Sequence, residues 1–266
     1  MNGRVVGGLL RKELLDASRN RGALLPVVLV TAIALVVPFV VTIVVPTLIG
    51  ERLSNDIDLV RISRIVDPGA TLTPDGRVQL FFFQQFLLLF LLTPTTGAMT
   101  MAAHSVVGEK LARTLEPLLA TPVATFELLL AKVLGALVPT LVIAMTGLAL
   151  YMAGVALLAL PGVIGAMANM RTVILILVVA PALALLSLQA AILISSRVND
   201  ARTAQQFGVF VIIPATALLV AQFSGALWLS AAALAAVGVG ILIVWIILAA
   251  ISVRVFDRET ILTRWR

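Results

Sequence analysis

Six apolar runs, each long enough to cross a bilayer as a helix, leave this chain few alternatives. A hydrocarbon core of roughly 30 Å takes about 20 helical residues. The runs cover residues 24–49, 81–107, 133–158, 172–196, 207–222 and 228–253. Together they use nearly all of the 266 residues, and no gap between them could hold a soluble domain with its own core. Charged residues are 12% of the chain, against about 25% in a soluble domain. The expected fold is therefore an all-α integral membrane protein, a single transmembrane domain over residues 1–266. The 207–222 run is the shortest, and the turn at Ser224-Gly225 leaves a shallow hairpin open as an alternative to a full crossing.

The cations set the expected orientation. Fourteen of the nineteen Lys and Arg fall in the N-terminus, the 108–132 and 197–206 loops and the C-terminus, and five fall in the opposite loops. Positive loops stay cytoplasmic, so both termini are expected there, in a multi-pass protein of the inner (cell) membrane. The net charge of +6 is accounted for by topology and anionic lipid, with no basis for nucleic-acid binding. The first apolar run begins after 23 residues and is too long for a signal-peptide core, so no cleavable leader is expected. The chain has no cysteine, which excludes disulfides and thiolate metal sites.

Residues 1–22 read as an amphipathic helix on the membrane surface. Val6, Leu10, Leu14 and Ala17 recur at helical spacing, with Arg11, Lys12, Asp16 and Arg19 elsewhere. It is either a cationic leader that sets topology or a helix that also contacts a partner. Pro38, Pro46, Pro94, Pro181 and Pro214 mark kinks within the spans, since proline removes a backbone donor. Residues 50–80 form a short external loop with two turn signals, Asp67-Pro68-Gly69 and Pro74-Asp75-Gly76. Leu53, Ile57 and Val60 could continue the first span above the membrane, and the whole segment reads as a lid or spacer.

No Asp, Glu, Lys or Arg lies well inside any of the six runs. Ionisable groups at the bilayer centre usually mark ion or proton pathways, so an ion-coupled carrier is disfavoured. Carbonyls at broken helices could replace such groups and keep that reading open. The remaining polar groups are mild: Gln84, Gln85, Thr93, Thr95, Thr96 and Thr100 in the second run, Ser187 and Gln189 in the fourth. Gln84, Gln85, Thr93, Thr96, Thr100 and Gln189 could line a path for an amphiphile, or could be interhelical hydrogen bonds worth about 0.6 kcal/mol each. His104 is the single histidine and reads as structural. The chain has neither HExxH nor a P-loop, so no catalytic, metal or cofactor residues are expected. An integral-membrane enzyme or an assembly scaffold acting on lipid is the weakest reading, because no converging polar set for an enzyme can be assembled.

The 108–132 loop carries the most chemistry. Leu111, Leu115, Leu118 and Leu119 make an apolar stripe at i, i+4, i+7 and i+8, with Glu109, Lys110, Arg113 and Glu116 as the charged remainder. Thr121-Pro122 reads as an N-cap with proline in the first helical position. A helical hairpin follows, whose tip can seat in a groove of a partner. A solvated connection is the plain alternative.

The run from Glu109 through Lys110, Arg113, Thr114, Leu115, Glu116, Leu118 and Leu119 to Thr121 and Pro122 resembles a stretch of ABC transporter permeases of the type-2 exporter superfamily. Those proteins carry E-K/R-x-x-G-T-L-E-x-L-L-x-T-P-V/I after their second span, and Arg113 stands where many have glycine. Lys12-Glu13-Leu14 with Arg19 and Phe256-Asp257-Arg258-Glu259 resemble the family's two ends, more weakly. The resemblance implies a half-transporter, with a second permease chain (a homodimer preferred over a heterodimer) and two separate ATPase subunits that hold the ATP and Mg. The 109–122 segment would couple to the ATPase, with Arg197, Asp200 and Arg202 as a secondary contact. This chain would bind no cofactor, and the implied cargo is a drug, a lipid or another amphiphile. An ion-coupled carrier working without an ATPase is the competing expectation.

Overall fold

The computed structural model describes residues 3–67, 69, 71–111, 125–197 and 228–255, together with 203, 206, 213–214, 216–217, 220–222 and 224. The described residues form helices and no strand. The helices are α1 (Gly3–Arg19), α2 (Arg21–Phe39), α3 (Val45–Ile49), α4 (Ile57–Ser63), α5 (Pro74–Leu87), α6 (Leu89–Leu111), α7 (Thr125–Leu158), α8 (Val163–Met167), α9 (Met170–Ile174), α10 (Ala180–Arg197) and α11 (Ala231–Val255). Five stretches are long and apolar enough to cross a membrane: Arg21–Ile49, Pro74–Ser105, Phe126–Leu158, Met170–Ser195 and Ala231–Val253. The sixth expected span, 207–222, lies largely outside the described residues.

Four of the five helices outrun their apolar stretches, because a helix continues through charges that end a hydropathy window. Pro74-Asp75-Gly76 is a helix start rather than a turn. Thr73 Oγ1 accepts the Gly76 N–H at 3.1 Å as an N-cap, and Pro74 takes the first position, where its missing N–H costs nothing. Residues 53–60 do not continue the first span either. Gly50 ends it in the left-handed region (φ 74°), returning its N–H to Pro46 O at 3.0 Å, and α4 begins anew on the Asp56 cap.

Prolines shape two spans. A π turn at Val40–Val44 bridges α2 and α3 between Pro38 and Pro46, and a second at Leu175–Val179 precedes Pro181. Each widens the helix where a proline withholds its N–H. Pro94 lies within α6, which continues through it.

The interior is built for close approach, since lipid supplies no hydrophobic drive between helices. Ala98, Ala102, Ala136, Ala184 and Ala191 are all nearly inaccessible. Gly97 faces Thr140 and Val27, and Gly147 faces Thr31, so tightly that a Cβ could not be added without a shift. Nearer the other end the filling is aromatic. Tyr151 sits among Phe39, Phe83 and Phe90 with ring centroids 5.1–6.0 Å away, and its hydroxyl donates to Phe83 O at 2.8 Å. The loop before α5 is pinned: Asp67 accepts from Thr71 Oγ1 and Leu72 N at 2.9 Å, and Ser54 N donates to Asp75 at 2.8 Å.

Candidate functional site

At the end of the bundle that carries α1, three helices meet on one polar cluster. Glu13 lies on the apolar face of α1, between Leu10 and Ala17, and packs where α1 crosses α7. Lys132 Nζ donates to Glu13 Oε1 at 3.1 Å and to Ser105 Oγ of α6 at 3.0 Å, while Ser105 donates to Glu13 Oε2 at 2.8 Å. Lys132 is 2% exposed and Glu13 8%. Burial by itself raises a carboxyl's pKa, but Lys132, the Ser105 bond and Lys12 outweigh it, and Glu13 titrates below its usual range. Lys12 lies 3.7 Å from Glu13 and 4.0 Å from Asp16.

α1 approaches so closely because Gly135 on α7 has no side chain: a Cβ there would collide with Glu13 Cβ. Beside the clamp is a cavity of about 370 Å³, whose walls include Glu13, Asn20, Met101, His104 and Ser105. The described residues contain no group of His, Cys, Asp and Glu suited to a metal ion.

The clamp brackets the segment singled out in the sequence. α6 runs on to Leu111, so Glu109 and Lys110 belong to its last turn, and α7 begins at Thr125. Arg113, Thr114, Leu115, Glu116, Leu118, Leu119, Thr121 and Pro122 lie outside the described residues, as do Asp200, Arg202 and the stretch from Phe256 to Glu259. Arg197 is the last residue of α10.

Among the mild polar residues, Gln84, Gln85, Ser187 and Gln189 bond across to other parts of the bundle of this one chain. Gln84 is 2% exposed and accepts from Arg171 Nη1 at 3.4 Å; Gln85 donates to Gln222 O at 2.7 Å. Gln189 Nε2 donates to Ser252 Oγ of α11 at 2.5 Å, and Ser187 donates to Thr95 O at 3.1 Å. Thr96 donates back to Leu92 O at 2.7 Å. Thr93 and Thr100 are buried on α6, and Thr93 Oγ1 has no partner.

A bundle of long apolar helices with its termini of α6 and α7 locked to an N-terminal helix is the setting in which the family match falls. The model of the ABC-2 family transporter proteins matches residues 8–237. The chain belongs to that family. No curated protein matches it significantly.

In this ABC-2 permease two charged residues turn out to belong to helices. Lys132, grouped with the loop in the sequence, is the eighth residue of α7 and faces inward, and Arg171, just short of the fourth apolar run, is the second residue of α9 and buried. The expectation of spans free of charge therefore holds for the apolar runs and not for the longer helices. Glu13 follows Leu10 by three residues and precedes Ala17 by four, a spacing that could have flagged it but was not used. Nothing in the sequence pointed from Glu13 to Lys132.

Proposed function

We propose that this ABC-2 permease is the membrane-spanning subunit of an ABC exporter. Two copies form the pathway, and two separate ATPase subunits, which hold the ATP and Mg, bind through the 109–122 segment at the end that carries α1. That end faces the cytoplasm, in keeping with its share of the cations.

The observation that carries the reading is the Glu13–Lys132–Ser105 clamp. The helices flanking the 112–124 connection are both tied to α1 through it. A displacement of the connection is transmitted to three helices together, because parting them strands a buried charge. The motif residues Glu109, Lys110, Arg113, Thr114, Leu115, Glu116, Leu118, Leu119, Thr121 and Pro122 make the ATPase contact, and Arg197, Asp200 and Arg202 make a secondary one.

The cargo is an amphiphile such as a drug or a lipid. An apolar cavity of about 440 Å³ between α6, α10 and α11 supports this. Gln84, Gln85, Thr93, Thr96, Thr100 and Gln189 supply the few polar groups near the bundle axis.

The test is affinity purification of the tagged chain from its native membranes. A P-loop ATPase at near-equal stoichiometry is expected, lost on Glu109→Lys or Glu116→Lys while membrane insertion persists. A chain that purifies alone and moves substrate in liposomes under an ion gradient would replace the reading with an ion-coupled carrier.

A further inference from the structure

We propose that the end of the bundle opposite α1 holds a binding site for an acidic amphiphile, its anionic headgroup at Arg171 and its apolar chain in the adjoining cavity. The guanidinium is held from four directions. Nε donates to Leu229 O at 3.1 Å, Nη1 to Gln84 Oε1 at 3.4 Å and Nη2 to Gln222 Oε1 at 2.5 Å, and the Trp228 ring centroid is 3.8 Å away. Every one of these partners is neutral. Lys132 at the other end has Glu13 against it; Arg171, 8% exposed, has no carboxylate partner among the described residues. A buried cation is costly unless an anion accompanies it.

The surrounding polar atoms are also incomplete. Three bonds use three of the five guanidinium N–H groups. Gln222 Nε2, on a side chain fully closed to solvent, has no partner, and neither does Gln85 Oε1, equally buried. Surplus donors around a fixed guanidinium suit the paired oxygens of a phosphate or carboxylate. The Gln85 oxygen is left to accept a headgroup hydroxyl.

The apolar half of the site starts one helical turn away. Leu88 follows Gln84 by four residues and Leu175 follows Arg171 by four, and both line the 440 Å³ cavity. Along α11 its wall runs from Leu234 to Leu248, about 21 Å of helix. Trp228, with an apolar ring and a polar edge, suits the headgroup level of a bilayer. A small free anion would use the donors and leave the cavity idle, so the two together favour a lipid-like ligand. The site depends on neither a second copy nor an ATPase, and its test needs only the purified chain.

The experiment uses the Trp245→Phe/Trp265→Phe chain, in which Trp228 is the remaining tryptophan, in phosphatidylcholine vesicles containing brominated phosphatidylglycerol or brominated phosphatidylcholine. Trp228 quenching is expected to favour the acidic lipid by roughly five- to tenfold. Arg171→Lys should keep part of that preference, and Arg171→Gln should abolish it. Equal quenching by the two lipids with Arg171 intact overturns the proposal, whatever any variant does, and so does a preference that survives Arg171→Gln. If millimolar inorganic phosphate erases the preference, the donors belong to a free anion and the amphiphile site is wrong.

Discussion

Lys132 Nζ lies 3.1 Å from Glu13 Oε1 across 119 residues of sequence, and both side chains are buried. Removing one member of a buried pair leaves an uncompensated charge, which costs about 3–5 kcal/mol. Lys132→Met is expected to destabilise the detergent-solubilised chain by that order, read as a lowered midpoint of thermal unfolding. Glu13→Gln/Lys132→Met removes both charges and should recover at least half of the loss. Equal destabilisation by the single and double variants would show that the pair acts through packing alone.

The same carboxylate makes stability depend on pH. Glu13 titrates below its ordinary value of 4.5 in the folded chain. A group with a depressed folded pKa adds stability that is fully present above its unfolded value and lost as pH falls through the folded one. The unfolding midpoint should therefore hold steady from neutral pH down to about 5 and decline below about 4.5. Glu13→Gln should show a shallower decline over that acidic window, since its side chain does not titrate. A parallel decline in the two proteins would assign the acid sensitivity to other carboxylates, Asp67 foremost, whose Leu72 and Thr71 bonds lower it despite its burial.

Tyr151 joins α7 to α5 through a 2.8 Å bond to Phe83 O. Tyr151→Phe keeps the ring among Phe39, Phe83 and Phe90 and loses only that bond, at a cost of about 1 kcal/mol. Tyr151→Ala empties the centre of the aromatic cluster and should cost about 3–5 kcal/mol. Thermal unfolding of the two variants checks the order. A phenylalanine variant as unstable as the alanine one would make the hydroxyl, rather than the ring, the tie between these helices.

How far the sequence could be read follows from which forces act locally. Apolar runs are a property of neighbouring residues, and five of the expected spans fall on helices long and apolar enough to cross a membrane, the last of which begins at Ala231 rather than at 228. The ends of those helices were misplaced where a local rule met a longer element. Lys132 and Arg171 stop a hydropathy window, yet both lie within helices because side chains across the bundle bond each cation, the Glu13 carboxylate for Lys132 and the neutral Gln222 amide for Arg171. Pro74-Asp75-Gly76 carries turn residues, and only the Thr73 cap shows that the turn is a helix start. Of the candidate site, Glu109 and Lys110 are seen in the last turn of α6, and the remainder of the motif was legible only as a resemblance. The Glu13–Ser105–Lys132 contact is a tertiary fact, set by how three helices cross, and no spacing in the chain encodes it.

The closest crossing in that clamp gives the last prediction. Gly135 lets α1 lie on α7, and a Cβ there would meet Glu13 Cβ, with Glu13 Cγ at 3.2 Å and Glu13 Cα at 3.6 Å. A near end of the side chain and its own backbone cannot swing aside as a flexible tip can, so α1 itself must move. Gly135→Ala is expected to cost about 1–3 kcal/mol by overpacking. Gly165, exposed on α8, has nothing within 4 Å of an added Cβ, and Gly165→Ala should be neutral or stabilising by about 0.4–1 kcal/mol. The functional consequence separates the clamp from ordinary packing. If α1 relays motion from the 112–124 connection, Gly135→Ala reconstituted with its ATPase should lose most substrate-stimulated hydrolysis at temperatures where it is still folded, whereas Gly165→Ala should match the parent. A Gly135→Ala protein that is less stable yet fully coupled would leave α1 as a structural brace and place the relay in α6 and α7 alone.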